Sequence, residues 1–303
     1  MHAHAPDSTP AVLFYGPPPR EPMRTVSISG TSLRTSRLGI GSSSLHHLLS
    51  SRARQRLLLA AWDSGIHYFD TAPLYGHHLA EKELGKFIGP RRGELVLATK
   101  FGILPNPLFV RAPALMYAEK LVRRLAFGSP LGASAPRRSY GAMDLRRSVE
   151  RSLRNFRTDC IDILYLHEPS LEHLVDPDTT VAEVARLKAE GKLRYLGLSG
   201  SVTECQRIAV RYPALAEVLQ LEVLTTESTG TQVEPLAGQV TFGHFRSAGL
   251  QDGKESSADW VRRSLERAVK LNPNGAILFS TRSAYHLNEV VRILEEIEQE
   301  GRA

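Results

Sequence analysis

Four ionisable side chains stand at, or just after, the ends of short apolar runs. Asp70 ends the run HYFD, Lys100 follows LVLAT, His167 follows ILYL, and Tyr75 comes five residues after Asp70. If these runs are buried parallel strands, their carboxyl ends meet at one rim, where such folds carry catalytic groups. Side chains of these four types could transfer a proton to an oxygen on which negative charge develops.

Each of the four residues has a distinct chemical use. An isolated phenol has a pKa of about 10, and a nearby ammonium lowers it, so Lys100 could make Tyr75 a usable acid. Asp70 could pair with Lys100 and keep it charged inside a cavity. A neutral His167 could donate a hydrogen bond that orients a carbonyl oxygen. Singly, each residue is weak evidence of catalysis. Their joint occurrence at consecutive strand ends predicts reduction of a carbonyl, with Tyr75 acting as the base in the reverse reaction.

The chain supplies eight short apolar runs, separated by helical stretches, that could position these residues. All-apolar runs of this length are typical of parallel strands buried on both faces. Eight of them in 303 residues favour a closed (β/α)8 TIM barrel over an open doubly wound sheet, and no G-x-G-x-x-G follows an early strand. The runs are 38–41, 67–70, 95–99, 161–166, 195–199, 218–221, 239–242 and 276–279.

The sequence also predicts two amphipathic helices and three glycines that end a helix just before a strand. Apolar residues recur at helical spacing in 145–153 and in 287–297. Gly65, Gly191 and Gly275 each lie just before a strand, where a left-handed glycine would end the preceding helix. Repeated helix–glycine–strand units indicate βα repetition.

The ends and loops give a domain organisation. Residues 1–23 are rich in proline and small polar groups, which predicts a flexible tail before a single barrel domain over 24–303. The segments 25–28 and 32–35 flank Gly30 and predict an N-terminal hairpin. A long loop, 102–140, follows the third barrel strand, and loops of this length are often functional.

Composition excludes several classes of protein. No apolar run is long enough to predict a membrane span, the N-terminus lacks the pattern of a signal peptide, and the two cysteines imply no disulfide framework. We therefore expect a cytoplasmic protein. The net charge of +6 comes partly from the 102–140 loop, and no nucleic-acid-binding signature accompanies it. His77 and His78 lie near the proposed site, but no cluster has metal-ligand spacing, so we expect no metal.

Several motifs together resemble the aldo-keto reductase superfamily. They are GIHYFDTAPLYGHHLAEKELGK, VLATKFG, IDILYLHEP and LRYLGLSG, and the resemblance runs from about residue 38 to the C-terminus. D-T-A-x-x-Y-G followed by an E-x-x-L-G helix is typical of that family. The resemblance implies a catalytic tetrad of Asp70, Tyr75, Lys100 and His167. The first motif is also similar to bacterial aldose dehydrogenases of the superfamily.

The resemblance also implies a nicotinamide cofactor. Ser199 and Gln220 match residues that hold the carboxamide, although Gly200 replaces the asparagine that usually follows the serine. Phe242 matches an aromatic residue, commonly tyrosine, that stacks on the nicotinamide; stacking needs only the ring face.

The last strand and the helix after it match the phosphate side of the cofactor. Ser280 and Arg282 precede that helix, and free N–H groups and the helix dipole at a helix N-terminus favour anions. Glu289 matches a position near adenine, but Val290 stands where the family has asparagine. NADP(H) is favoured, with NAD(H) as the alternative.

Three functions stay open. The first is an NADP(H)-dependent carbonyl reductase, the second an NAD(P)-dependent aldose dehydrogenase, and the third a non-catalytic nicotinamide-binding regulatory protein, like the channel β-subunits that share this fold. A small-molecule carbonyl or sugar is the expected partner. The sequence indicates neither the substrate itself nor the oligomeric state.

Overall fold

A computed structural model describes residues 23–112, 115, 137–223, 238–245 and 257–301. Eight parallel strands close into a barrel in chain order, with the last strand pairing to the first. The predicted (β/α)8 barrel is therefore confirmed. The barrel strands are β3 (Leu38–Gly41), β4 (Tyr68–Asp70), β5 (Val96–Phe101), β6 (Ile161–His167), β7 (Leu193–Ser201), β8 (Val218–Glu222), β9 (Val240–Phe242) and β10 (Ala276–Phe279).

The strands coincide with the eight apolar runs because both faces of the sheet are covered. Every residue of β3, β4, β5, β6 and β10 is buried, so polar and apolar residues do not alternate. Several strand bounds differ from the predicted runs by one or two residues, and two of these differences concern the candidate site. β5 continues through Lys100 to Phe101, and His167 is the last residue of β6, so these two side chains project from strands and not from loops.

Within the described ranges, a helix follows every barrel strand except β8, after which residues 224–237 lie outside those ranges. The predicted stripes are confirmed, since Leu145, Val149, Leu287 and Val291 are all fully buried. The described helices are α1 (Ser51–Asp63), α2 (Leu79–Ile88), α3 (Pro107–Arg111), α4 (Ala142–Phe156), α5 (Pro177–Ala189), α6 (Val202–Arg211), α7 (Ser257–Leu271) and α8 (Ala284–Glu300). No helix within the described ranges is long and apolar enough to cross a membrane.

Two of the three predicted left-handed glycines are confirmed. Gly65 has φ 78° and Gly191 has φ 70°. The prediction for Gly275 is wrong, because its φ is not positive. A Cβ there would lie 1.9 Å from the carbonyl oxygen of Gln239, so close approach of two backbones excludes a side chain.

The N-terminal hairpin is confirmed, and it covers the amino end of the barrel. β1 (Thr25–Ser27) pairs antiparallel with β2 (Arg34–Ser36), which begins later than predicted because the turn extends to Leu33, whose oxygen accepts from Ile28 N at 3.0 Å. Ser29 N donates to the oxygen of Gly238, just before β9, at 2.7 Å.

The long loop leaves the barrel at the end of β5. Its two ends are joined, since Leu104 N donates to Arg137 O at 2.9 Å and Ser139 N donates to Gly102 O at 2.8 Å. The short helix α3 within it was not predicted. Much of the rest of this loop lies outside the described residues, as do residues 1–22. The flexible tail and the single domain over 24–303 therefore stay predictions.

Candidate active site

A buried ion pair lies at the carboxyl rim of β4 and β5. Lys100 Nζ pairs with Asp70 Oδ2 and also donates to Thr71 O at 3.0 Å, and both charged side chains are buried. Burial alone would lower the pKa of Lys100, but the charges of Asp70 and Tyr75 raise it above its usual value. Lys100 is therefore an ammonium at neutral pH.

Tyr75 lies on the turn after β4, above this pair. Its backbone N donates to Ala72 O at 3.0 Å, and Lys100 Nζ is 5.2 Å from the centroid of its ring. Burial raises the pKa of Tyr75 and Lys100 lowers it, and the result lies above the usual value. The phenol therefore keeps its proton at neutral pH, as a proton donor must.

His167 presents its ring to the same space. Its ring centroid is 5.8 Å from that of Tyr75, with the two planes at 90°. Burial, followed by the charges of Lys100 and Arg138, holds the pKa of His167 well below its usual value. The imidazole is therefore neutral and can donate one hydrogen bond from a ring nitrogen.

Two residues of the long loop secure the end of β6. Tyr140 Oη donates to His167 O at 2.6 Å, and Arg138 Nη1 donates to Glu168 O at 2.8 Å. The sequence did not reveal either contact, because Tyr140 and His167 are 27 residues apart. The only signal was an aromatic residue where the loop returns to the barrel.

Ser199 and Gln220 join the tetrad directly. They face each other in the register of β7 and β8, and Ser199 Oγ donates to Gln220 Oε1 at 2.6 Å. Gln220 Nε2 donates in turn to Asp70 Oδ1 at 2.7 Å. Both side chains are buried. Of the two residues that the family resemblance assigned to the carboxamide, Gln220 is thus hydrogen-bonded to Asp70, and Ser199 is connected to Asp70 only through Gln220.

The other candidate residues lie around the ends of β9 and β10. Phe242 is partly buried at the end of β9. Ser280 Oγ donates to Gly41 O at 2.8 Å, whereas Arg282 is exposed just before α8, and Glu289 is partly buried on α8. None of the contacts between described residues links these four to the tetrad.

The residues present fit a nicotinamide cofactor. Ser199 and Gln220 form a buried amide and hydroxyl pair beside the tetrad, which suits a carboxamide. Exposed Arg282 precedes the N-terminus of α8, which suits a phosphate. A Cβ on Gly41 would lie 2.6 Å from Ser280 Oγ, so the absence of a side chain at Gly41 leaves room for the Ser280 hydroxyl. Across the described ranges, no three His, Cys, Asp or Glu side chains gather into a metal site.

Comparison with known protein families agrees with this geometry. The model of the aldo/keto reductase family matches residues 37–230, more than half of the chain. The chain belongs to the aldo/keto reductase family.

Curated relatives of this aldo/keto reductase include two sugar dehydrogenases. D-threo-aldose 1-dehydrogenase of Pseudomonas sp. is 30% identical over 228 residues, covering 71% of this chain and 66% of that protein. L-galactose dehydrogenase of Arabidopsis thaliana is 28% identical over 183 residues, covering 57% and 47%. The chain thus spans between about half and two thirds of the length of these relatives.

Solved structures confirm the fold alone, since their identity to this chain is low. An aldo-keto reductase from Bacillus halodurans, in its holo form, has a TM-score of 0.65 and 19% identity, covering 90% of this chain and 91% of that one. Glycerol dehydrogenase from Gluconobacter oxydans has a TM-score of 0.62 and 18% identity, covering 89% of each chain.

Proposed function

We propose that this aldo/keto reductase is an NADP(H)-dependent oxidoreductase that interconverts an aldehyde or ketone and the corresponding alcohol. The observation that carries the proposal is the convergence at one rim of the Tyr75 phenol, the buried Lys100 amine and the His167 imidazole. Lys100 Nζ lies 5.2 Å from the Tyr75 ring centroid, and the rings of Tyr75 and His167 meet edge to face at 5.8 Å.

Tyr75 is the general acid and base of this proposal. In reduction, the Tyr75 hydroxyl gives its proton to the carbonyl oxygen as negative charge develops there. In oxidation, the phenolate takes the proton back from the alcohol. When bound, the cofactor supplies the hydride in one direction and accepts it in the other.

The other three residues of the tetrad support that transfer. The Lys100 ammonium stabilises the Tyr75 phenolate that remains after the proton has left. Asp70 compensates the charge of Lys100 in the buried site, and Gln220 orients Asp70 from the other side. His167 donates a hydrogen bond to the carbonyl oxygen and so places it against the Tyr75 hydroxyl.

The preference for NADP(H) rests on Arg282. Its guanidinium is exposed before the N-terminus of α8, where the chain offers a positive charge to a phosphate. One relative, the aldo-keto reductase yakc of Schizosaccharomyces pombe, carries NADP(+) in its name and is 29% identical over 196 residues. Ser280 and Glu289 would line the same side of the cofactor, with Phe242 against the nicotinamide ring.

A second candidate function is oxidation of an aldose with NAD(P)⁺. The names of two relatives, D-threo-aldose 1-dehydrogenase and L-galactose dehydrogenase, favour it. The same tetrad would serve, with Tyr75 starting as the base. Initial rates with a panel of aldoses and either oxidised cofactor would separate this candidate from a reductase that acts on simple aldehydes.

The test of the proposal is turnover by the purified protein. NADPH is mixed with a panel of aldehydes and ketones, and loss of reduced-nicotinamide absorbance is followed; NADP⁺ is mixed with the corresponding alcohols and with aldoses. We expect steady turnover on at least one panel and faster rates with NADPH than with NADH. Tight NADP(H) binding without turnover on any compound would refute the proposal and support a non-catalytic, regulatory role.

A further inference from the structure

The turn that carries Tyr75 has an unusual backbone. The three residues that follow it, Gly76, His77 and His78, all have positive φ, at 61°, 52° and 73°. Residues other than glycine rarely adopt this left-handed backbone conformation, because their Cβ crowds the backbone. Such a conformation persists only where the surrounding structure holds it in place.

The carboxylate of Glu81 makes a buried contact to this turn, beside that of His77 Nδ1, which accepts from Asn106 N at 3.1 Å. Glu81 is completely buried and accepts four hydrogen bonds. Oε2 is 2.7 Å from His78 Nδ1 and 2.9 Å from Asn155 Nδ2, and Oε1 is 3.0 Å from Thr99 Oγ1 and 2.7 Å from Ser152 Oγ. Because a carboxylate only accepts hydrogen bonds, the Nδ1 of His78 is the donor.

These four contacts connect the turn that carries Tyr75 with the strand that carries Lys100. His78 comes three residues after Tyr75, and Thr99 directly precedes Lys100 on β5. A single buried carboxylate is therefore bonded both to the turn of the phenol and to the strand of the ammonium, while α4 supplies the two remaining donors. Movement of the turn away from β5 would leave part of this carboxylate unpaired in the interior, which is costly.

We propose that the His78–Glu81 pair is a positioning device that holds the Tyr75 hydroxyl in reach of the carbonyl oxygen. The inference rests on the role proposed for Tyr75. Neither His78 nor Glu81 touches the reacting atoms; both are positioning residues. Loss of the pair should slow proton transfer and leave the binding of cofactor and carbonyl unchanged.

Two substitutions of His78 separate the effect of losing its hydrogen bond to Glu81 from the effect of backbone strain at positive φ. Glycine and asparagine both tolerate positive φ, but only asparagine has a donor at the place of Nδ1. We expect His78→Gly to lower kcat about 10- to 100-fold, as a small misplacement of a reacting group does. Its KM values for NADPH and the carbonyl should stay within about twofold of native, and His78→Asn should recover most of kcat.

Glu83→Gln is the matched control. Glu83 lies on the same helix as Glu81 and is equally buried, but it bonds to Ser51 Oγ and to Lys86 Nζ, both at 2.8 Å, on the side of α2 that faces α1. We expect Glu83→Gln to lower the Tm while keeping kcat within about twofold of native, because its contacts do not reach the Tyr75 turn.

Two kinetic results would overturn the inference. Native kcat in His78→Gly would show that the turn needs no such bond, and an equal loss in His78→Gly and His78→Asn would show that the donor is not what matters. Crystal structures of both variants give a readout that is independent of activity. We expect the Tyr75 ring to be displaced from Lys100 in His78→Gly alone, and superposable turns would contradict the inference. A native protein without turnover would instead refute the proposed function, and the two structures would still decide the role of the pair.

Discussion

Replacing Lys100 with methionine keeps an unbranched side chain as far as Cε and removes the ammonium, so this variant measures what the charge does for Tyr75. Lys100 Nζ is 5.2 Å from the centroid of the Tyr75 ring. At an effective dielectric constant of about 20, a unit charge at that distance stabilises the phenolate by about 3 kcal/mol. That energy corresponds to a change of about 100-fold in the ionisation equilibrium of the Tyr75 hydroxyl.

The sign of the effect follows from the charge. Burial raises the pKa of Tyr75 above its usual value and Lys100 lowers it, so the pKa of Tyr75 should be higher still in the variant. Oxidation of an alcohol needs the phenolate as base. At any pH below both pKa values, the fraction of phenolate, and with it kcat/KM for oxidation, should fall about 100-fold.

The assay is alcohol oxidation by native and Lys100→Met protein between about pH 7 and 9. We expect two parallel lines when log kcat/KM is plotted against pH, with the variant about two logarithmic units lower. Coincident lines would refute the reasoning.

Lys100→Met also leaves Asp70 as an uncompensated buried charge, which costs about 3–5 kcal/mol of folding free energy. Adding Asp70→Asn to the same chain should restore most of that loss.

The remaining predictions concern packing, cofactor choice and pH. Gly39→Ala should lower the free energy of unfolding by about 1–3 kcal/mol, because its Cβ would lie 2.3 Å from Tyr68 Cδ1. Urea unfolding checks this, and Gly93→Ala, whose Cβ meets nothing within 4 Å, should match native. Arg282→Ala should raise the KM for NADPH about 10- to 100-fold and that for NADH far less, and equal losses in steady-state assays would contradict a phosphate contact. Since burial holds the pKa of His167 well below its usual value, kcat/KM for reduction should be flat between about pH 6 and 8. If kcat/KM for reduction instead changes with pH in that range, and this change disappears in His167→Gln, the imidazole becomes charged there.

The barrel could be predicted because its strands are buried on both faces. Eight continuous apolar runs marked them, and helices with apolar stripes such as 145–153 lay between. The second strand of the hairpin was less certain, because its start depends on where the turn closes. The predicted left-handed conformation of Gly275 was wrong, because glycine is needed there for a close approach to Gln239 O, a contact between segments distant in sequence.

The convergence of Asp70, Tyr75, Lys100 and His167 at one rim could be predicted from residue types at strand ends, but the hydrogen bonds around them could not. Gln220 and Asp70 are 150 residues apart, and nothing local in either segment predicts their 2.7 Å contact. The His78–Glu81 pair has a local spacing of three, yet such a pair on a surface helix would be unremarkable. Its importance depends on complete burial and on donors from other elements, which only the fold reveals.

The most direct test of the central claim is a single-turnover measurement with Tyr75→Phe. The variant keeps the ring and removes only the hydroxyl, so the Kd for NADPH should be unchanged. The rate of NADPH oxidation in the presence of a saturating carbonyl should fall about 100-fold or more, because no other group replaces the proton donor. A single-turnover rate equal to that of the native protein would contradict the claim that the Tyr75 hydroxyl delivers the proton.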